Sequence, residues 1–130
     1  MKVAAHIAFY LIEKRMPYLE EVIRGLSEIP HDIDIYVYCN RPITLPSPSS
    51  RATVRVVHES FINLGLPRSA FRFVPFKLRG RLDPWLLTWR PRRHMAAMLE
   101  EYDAQIYLED DIGFKGESFD YWMQYKDICL

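Results

Sequence analysis

The chain has 130 residues, of which 49% are hydrophobic and 26% are charged, a composition typical of a folded domain and not of a disordered chain. Seventeen Lys and Arg balance seventeen Asp and Glu, which argues against a general nucleic-acid binder, because such proteins carry a basic excess. We therefore expect a single domain over residues 1–130 and no nucleic-acid partner.

The apolar opening, residues 3–12, predicts a buried first strand. It lacks a small-residue cleavage site and is followed at once by charged residues, so a signal peptide is the poorer interpretation. No apolar stretch is long enough to be a transmembrane segment. The cysteines, Cys39 and Cys129, match no metal-binding spacing and are expected to be reduced thiols of a cytoplasmic protein.

A βαβ unit is predicted next. Pro17 marks a helix start, and the apolar residues that follow it through Leu26 recur at helical spacing. Residues 33–39 then alternate with period two and are rich in β-forming side chains, which predicts a second strand. Because strands joined by a helical crossover pair in parallel, the expected fold class is α/β, with a mostly parallel sheet flanked by helices.

The second half of the chain is less regular. A loop rich in Pro and Ser over 42–50 precedes a third predicted strand at 53–57. Residues 58–91 follow neither period for long and predict irregular chain with short helical turns. From Arg92 the helical period returns, and residues 104–108 then alternate as a fourth strand.

That returning helix is expected to place a stripe of apolar side chains in the core. Met95, Met98 and Leu99 fall on one helical face, and methionine fills irregular gaps in a core well. Tyr102 falls on the same helical face.

Glu109, Asp110 and Asp111 follow the fourth predicted strand directly. Open α/β sheets bind ligands at the carboxyl ends of their strands. Three adjacent carboxylates repel one another unless a cation or hydrogen-bond donors compensate. Mn²⁺ and Mg²⁺ prefer oxygen ligands and are commonly held by one or two carboxylates with substrate phosphates. The triplet therefore predicts a site for Mn²⁺ or Mg²⁺, with a solvated turn as the alternative.

Two stretches of the chain resemble one enzyme family. Residues 107–112 (Tyr-Leu-Glu-Asp-Asp-Ile) resemble the Asp-x-Asp signature of GT-A type glycosyltransferases, with Glu109 in the first acidic place and Asp111 in the last. Residues 92–98 (Arg-Arg-His-Met-Ala-Ala-Met) are similar to the Ala-Arg-Asn-led helix that precedes this signature in many inverting members. The resemblance implies a Rossmann-like fold and a metal-dependent glycosyltransferase that binds a nucleoside-diphosphate sugar.

The resemblance also implies which residues bind the donor. The arginine of the family's Ala-Arg-Asn-led helix corresponds to Arg92, or to Arg93 in a shifted register. The family's base-binding loop corresponds to residues 10–15, and its acidic residue after the second strand falls near Asn40, which is not acidic. The implied donor-binding residues are Tyr10, Glu13, Arg15, Asn40, Arg92 and Arg93, beside the metal ligands Glu109, Asp110 and Asp111.

GT-A domains ordinarily continue past this signature with elements that carry the acceptor site and, in inverting members, the catalytic base. We therefore expect this chain to be a truncated, amino-terminal part that binds a UDP- or GDP-sugar. A missing C-terminal segment or an oligomer would then supply the base and the site for a glycan or other acceptor. Weak or no transfer by the chain alone is expected. The alternatives are a non-catalytic interaction or pseudo-enzyme domain and a metal-dependent phosphotransferase.

Three further features have competing interpretations. A basic and aromatic cluster comprises the segment 77–81 with Trp85, Trp89, Arg90, Arg92 and Arg93. It either clamps a diphosphate or stacks on a sugar ring, or it is a basic surface loop with its tryptophans in the core. His6 is expected to be a core histidine with its hydrogen bonds satisfied, and a catalytic role is the alternative. His58 and Glu59 are either a base and its partner or a solvated pair.

Overall fold

A computed structural model describes residues 1–62 and 64–128 of the chain. Four strands form a single sheet in the order β3-β2-β1-β4, with every neighbouring pair parallel. The strands are β1 (Lys2–Phe9), β2 (Asp32–Cys39), β3 (Ala52–His58) and β4 (Ala104–Glu109). The predicted α/β fold with a parallel, helix-flanked sheet is confirmed, whereas its GT-A type stays a prediction. Cys129 lies outside the described residues.

One face of the sheet packs against two helices, α1 (Met16–Ser27) and α4 (Gly116–Tyr125). Pro17 lies in the first turn of α1, at the predicted helix start, because a proline loses no hydrogen bond there. The apolar spacing of α1 turns one side of the helix toward the sheet. This core contains Val3, Ala5, Ile7 and Phe9 of β1 with Leu19, Val22, Leu26 and Phe119 of the helices.

The other face of the sheet carries a second, more polar cluster. Because successive strand residues point to opposite faces, Ala4 of β1 and Tyr36 and Tyr38 of β2 lie on this side. They pack against Leu87 and against residues that flank a short helix, α3 (Pro91–Ala97). The sheet is therefore covered on both faces, as a parallel sheet requires.

Short helical pieces, as predicted, make up the chain between β3 and α3. Two 3₁₀ turns, Arg68–Phe73 and Pro84–Trp89, flank the seven-residue helix α2 (Phe76–Leu82). Asp83 joins α2 to the second of these turns, and its carboxylate accepts a hydrogen bond from the backbone N–H of Trp85. Within the described parts of the chain, no helix has the length and apolar character needed to cross a bilayer.

The prediction that Met95, Met98, Leu99 and Tyr102 share one helical face is wrong at Leu99. Helix α3 ends at Ala97, and the N–H of Met98 is shared between the carbonyls of His94 and Met95, which tightens the last turn. Beyond that point the helical period no longer sets side-chain direction. Leu99 is 67% exposed, whereas Met98 and Tyr102 are buried.

Gly25 lets the chain that follows β4 pack directly on α1. A Cβ built on Gly25 would overlap the carbonyl oxygen of Phe114. On the next element, a Cβ built on Gly116 would lie 3.1 Å from the carbonyl oxygen of Glu28. These two close contacts fix α4 and the loop before it against α1, close to the acidic residues that end β4.

Candidate functional site

The sheet has one point at which its strand order reverses. The chain runs outward from β1 through β2 to β3 and then returns to place β4 on the opposite side of β1. In open α/β sheets, ligands bind at such a point, in the crevice beyond the carboxyl ends of the strands. Here the crevice lies between the loop that follows β1 and the turn that follows β4.

The acidic triplet lies at this crevice, and its three side chains differ in environment. Glu109 is the last residue of β4 and is exposed, whereas Asp110 is only 4% exposed. The side chain of Asp111 is 60% exposed. The N–H of Ile112 donates to the carbonyl of Glu109 at 3.1 Å and closes the turn. The middle acid is therefore directed inward, and the outer two face solvent.

Arg15 compensates the charge of the buried acid. Its Nε lies 2.8 Å from Oδ2 of Asp110, and its Nη2 donates a hydrogen bond to Oδ1 at 2.9 Å. The same Nη2 lies 3.4 Å from Oδ2 of Asp111. Although Arg15 Nε is close, Oδ2 of Asp110 accepts no hydrogen bond in good geometry from the described residues. One guanidinium thus contacts two of the three acids, and its single positive charge balances one of them.

The ionisation of Asp110 reflects opposing influences. Burial raises the pKa of Asp110 above its ordinary value, because the charged form loses its hydration. The positive charge of Arg15 opposes this rise, and the negative charges of Asp111 and Glu109 add to it. Arg15 is therefore the group that makes an ionised Asp110 tolerable at this position.

The exposed carboxylates of Glu109 and Asp111 are the acidic side chains of this turn that a metal ion could bind. Among residues 1–62 and 64–128, no group of three His, Cys, Asp or Glu side chains is arranged to hold a metal. Glu109 and Asp111 present two exposed oxygen donors at one turn. Two carboxylates are what Mg²⁺ commonly takes from a protein when phosphates and waters complete its shell. These two carboxylates match such a shared metal in donor type and number, and the metal site stays a prediction.

A cleft of about 250 Å³ lies beside the crevice, over the carboxyl ends of β1 and β2. Tyr10, Asn40 and Arg41 line its polar part, and Phe61 and Trp85 are among its apolar walls. Pockets that enclose whole drug-sized ligands have volumes of roughly 300–1,000 Å³. The cleft therefore has room for one ring, such as a nucleobase, and not for a complete nucleotide sugar.

Asn40 ties the two strand ends of this cleft together. Its Oδ1 accepts a hydrogen bond from the backbone N–H of Leu11 at 2.7 Å. This bond fixes the start of the predicted base-binding loop against the end of β2. Tyr10 is exposed at the cleft, and Glu13 is exposed in the 3₁₀ turn Glu13–Arg15 that precedes α1.

The predicted phosphate-binding arginines lie on α3. The guanidinium of Arg92 stacks over the ring of Trp89, 3.9 Å from its centroid, and Arg93 is exposed. Burial and Glu109 raise the pKa of Tyr107, and the charge of Arg92 lowers it. Arg92 and Glu109 are therefore both close enough to Tyr107 for their charges to affect it.

Two competing interpretations of the sequence are resolved by the structure. Trp85 and Trp89 are both more than half exposed, so the interpretation that places them in the core is wrong. His58 is exposed, and Glu59 lies 3.7 Å from Nε of Arg90. Among the described residues, the ion-pair partner of Glu59 is Arg90 and not His58.

A buried histidine network on the second face of the sheet was only partly predicted. His6 is fully buried, as expected, with Nδ1 2.9 Å from the hydroxyl of Tyr38 and Nε2 3.1 Å from Oε1 of Gln105. The Tyr38 hydroxyl also lies 2.7 Å from Nδ1 of His94. Sequence reasoning missed His94, since nothing local in α3 marks it as a partner of β2.

Gln105 sets the direction of the hydrogen bonds in this network. Its Nε2 donates to the carbonyl of Met95 at 3.0 Å, so its Oε1 accepts from His6 Nε2. His6 Nδ1 then accepts from Tyr38, whose oxygen accepts from His94 Nδ1. Burial lowers the pKa of His6 to about 4, so it is neutral at physiological pH.

Comparisons with known proteins give no relative for this fold and site. No protein-family model matches the chain. No curated protein and no solved structure matches it either.

Proposed function

We propose that this chain binds a nucleoside-diphosphate sugar at the carboxyl edge of its sheet, as the donor- and metal-binding part of a GT-A type glycosyltransferase. One arrangement carries the proposal. Arg15 holds the buried Asp110 at the point where the strand order reverses, and this leaves Glu109 and Asp111 exposed on either side. The fixed turn presents two carboxylates to a ligand in the crevice.

The spacing along the sheet edge suits an extended ligand. The cleft lies over β1 and β2, and the acidic turn follows β4, on the far side of β1. Neighbouring strands are about 4.8 Å apart, so the ends of β2 and β4 are separated by about 10 Å. A base in the cleft would place the diphosphate across the end of β1, beside the acidic turn.

Each charged group has a role in this arrangement. Glu109 and Asp111 would hold Mn²⁺ or Mg²⁺, which when bound offsets the negative charge of the diphosphate leaving group. Arg15 positions the turn through Asp110. Arg92, which is close to Tyr107 of β4, adds positive charge near the phosphates. Asn40 and Tyr10 shape the base-binding end of the site.

One observation favours a second candidate, a non-catalytic domain that keeps the fold without a metal. Arg15 already supplies positive charge to both Asp110 and Asp111. A phosphate ligand could then bind to Arg92 without a cation between it and the acids. The two candidates differ in whether nucleotide binding needs a divalent metal.

Isothermal titration of the full chain with UDP and with GDP, in Mn²⁺ and in EDTA, tests the proposal. We expect binding only with Mn²⁺, and we expect Asp111→Asn to abolish it. Asp120→Asn, which changes an exposed acid on α4, is the matched control and should bind like wild type. Equal binding in EDTA would support the non-catalytic candidate, and no binding of either nucleotide would contradict both.

A further inference from the structure

The positive charge of this neutral chain is concentrated in one segment. Residues 64–93 contain eight Lys and Arg and a single acid, Asp83, although the whole chain has no net charge. This segment comprises most of the chain between β3 and α3, with its short helical pieces. This segment therefore carries a local excess of positive charge, which acids elsewhere in the chain compensate.

The same segment exposes large apolar side chains. Phe73 is 77% exposed, Trp85 59% and Trp89 56%. Leu64 and Leu66, on the approach to the first 3₁₀ turn, are also exposed. Single exposed hydrophobic residues are ordinary, but several large ones on one basic segment mark an interaction site.

These side chains belong to one continuous surface. Trp85 lines the cleft beside the donor crevice, together with Leu64 and Leu66. It also lines a second, more open cleft together with Arg72 and Trp89. Phe73 joins this surface through Arg72, whose guanidinium lies 4.8 Å from the centroid of its ring. The basic aromatic surface, as we call it, consists of Leu64, Leu66, Arg72, Phe73, Trp85 and Trp89.

We propose that the basic aromatic surface docks on an anionic lipid bilayer. Trp is enriched at membrane interfaces, where its apolar ring lies among acyl chains and its N–H among headgroups. Lys and Arg beside such residues are attracted to anionic headgroups. The excess of positive charge on residues 64–93 supplies the complementarity that selects an anionic surface.

Two contacts favour a bilayer over a single-stranded nucleic acid, the other polyanion that exposed aromatic residues can bind. Bases stack on open ring faces. Here Arg92 covers a face of Trp89 at 3.9 Å, and Arg72 covers a face of Phe73 at 4.8 Å. Leu64 and Leu66 provide no stacking face, but they can enter a lipid interface. Exposed aliphatic side chains among the aromatic ones therefore fit lipid better.

Co-sedimentation of the full chain with vesicles tests the proposal. The probes are phosphatidylcholine vesicles and vesicles of equimolar phosphatidylcholine and phosphatidylglycerol. We expect partitioning only onto the anionic vesicles, and we expect it to weaken with added salt. In a Trp122→Phe background Trp85 and Trp89 are the only tryptophans. Their emission, excited selectively over that of tyrosine, should shift to the blue on the anionic vesicles.

Variants of the basic aromatic surface test whether its residues bind the vesicles. Trp89→Ser with Phe73→Ser should abolish the partitioning, and Arg72→Gln should weaken it roughly fivefold. Tyr121→Ser and Arg24→Gln, at exposed positions on α4 and α1, are the matched controls and should sediment like wild type. Circular dichroism checks that each variant is folded.

Three outcomes would overturn the proposal. The first is no sedimentation with anionic vesicles. The second is a loss of vesicle partitioning in the control variants equal to that in the surface variants. The third is tighter binding to single-stranded oligonucleotides than to vesicles. None of them depends on nucleotide binding at the acidic turn. Failure here and failure of the proposed function are therefore distinguishable.

Discussion

Arg15 and Asp110 are 95 positions apart in the sequence, yet they form a two-point contact, with Nε 2.8 Å from Oδ2 and Nη2 2.9 Å from Oδ1. The pair joins the residue before α1 to the residue after β4. It therefore connects the segment that follows β1 to the turn that follows β4, at the base of the crevice between them. Asp110 lies between the exposed Glu109 and Asp111 in the sequence, and we expect its pair with Arg15 to hold the turn that carries them.

Removal of Arg15 should destabilise the fold in a pH-dependent way. Breaking a buried ion pair costs about 3–5 kcal/mol. Because the Arg15 side chain is 32% exposed, we expect roughly 2 kcal/mol for Arg15→Gln at pH 7, measured by urea unfolding. The difference in unfolding free energy between wild type and Arg15→Gln should shrink as the pH falls through the raised pKa of Asp110, because a protonated Asp110 needs no cation.

Arg24→Gln is the control for this measurement. Arg24 lies 3.8 Å from Glu21 on α1, and both side chains are largely exposed. Exposed pairs of this kind contribute about 0–1 kcal/mol. If Arg15→Gln were no more destabilising than Arg24→Gln, or if its cost did not depend on pH, the Arg15–Asp110 pair would not hold the turn.

His6 should make the protein less stable in mild acid. The pKa of His6 is lowered from its ordinary value of 6.5 to about 4 by burial. As the pH falls between these values, the unfolded chain takes up a proton that the folded chain refuses, so stability is lost across that window. At 1.36 kcal/mol per pH unit, the total is about 3 kcal/mol.

The dependence of the unfolding free energy on pH checks this prediction. His6→Gln removes the titrating group, so its stability should fall less steeply than that of wild type between pH 6.5 and 4. Identical slopes for the two proteins would mean that burial does not shift the pKa of His6.

Gly25→Ala should be destabilising, although alanine ordinarily stabilises a helix by about 0.5–1 kcal/mol relative to glycine. A Cβ at this position would overlap the carbonyl oxygen of Phe114, which must then move away from α1. Overpacking of this kind costs about 1–3 kcal/mol. Thermal unfolding measures the effect.

The helical Gly80 offers a matched control for Gly25. The nearest atom to a Cβ built on Gly80 is Nη2 of Arg90, at 3.9 Å, which is ordinary van der Waals contact. Gly80→Ala should therefore be neutral or slightly stabilising. Equal melting temperatures for Gly25→Ala and Gly80→Ala would rule out the close packing of the post-β4 loop on α1.

Tyr102→Phe should lower stability without affecting nucleotide binding. The Tyr102 hydroxyl donates a hydrogen bond to Oδ2 of Asp34 at 2.7 Å and lies 2.7 Å from the hydroxyl of Tyr36. Losing a hydrogen bond to a carboxylate costs about 1.5–3 kcal/mol. Asp34 and Tyr102 lie near the amino ends of the strands, so titration with UDP and Mn²⁺ should give the wild-type result. Weakened binding would contradict the placement of the site at the carboxyl edge.

The strands could be predicted from the sequence because their signal is local. Residues 33–39 and 104–108 alternate with β-forming side chains, and the observed strands extend the predicted ones by only one residue each. Three parallel pairings also follow from general rules of chain connection. The acidic turn could be placed at a strand end for the same reason.

The contacts that shape the site could not be predicted, because they join distant parts of the chain. Nothing near Arg15 in the sequence indicates that its partner is Asp110, and nothing in α3 points to Tyr38. At Leu99 the helical period was misleading, because α3 ends two residues earlier as the chain turns toward β4. Tertiary context overrides local pattern in each case.

The location of a bound Mn²⁺ ion tests the central claim most directly. Amide signals of the ¹⁵N-labelled chain would be recorded with UDP or GDP and a trace of Mn²⁺, whose unpaired electrons broaden nearby signals. We predict nucleotide-dependent broadening at residues 109–113 and 10–15, with the signals of Lys2 and Asp103 at the opposite edge unchanged. Broadening at that opposite edge, or none at residues 109–113 with nucleotide present, would contradict the account.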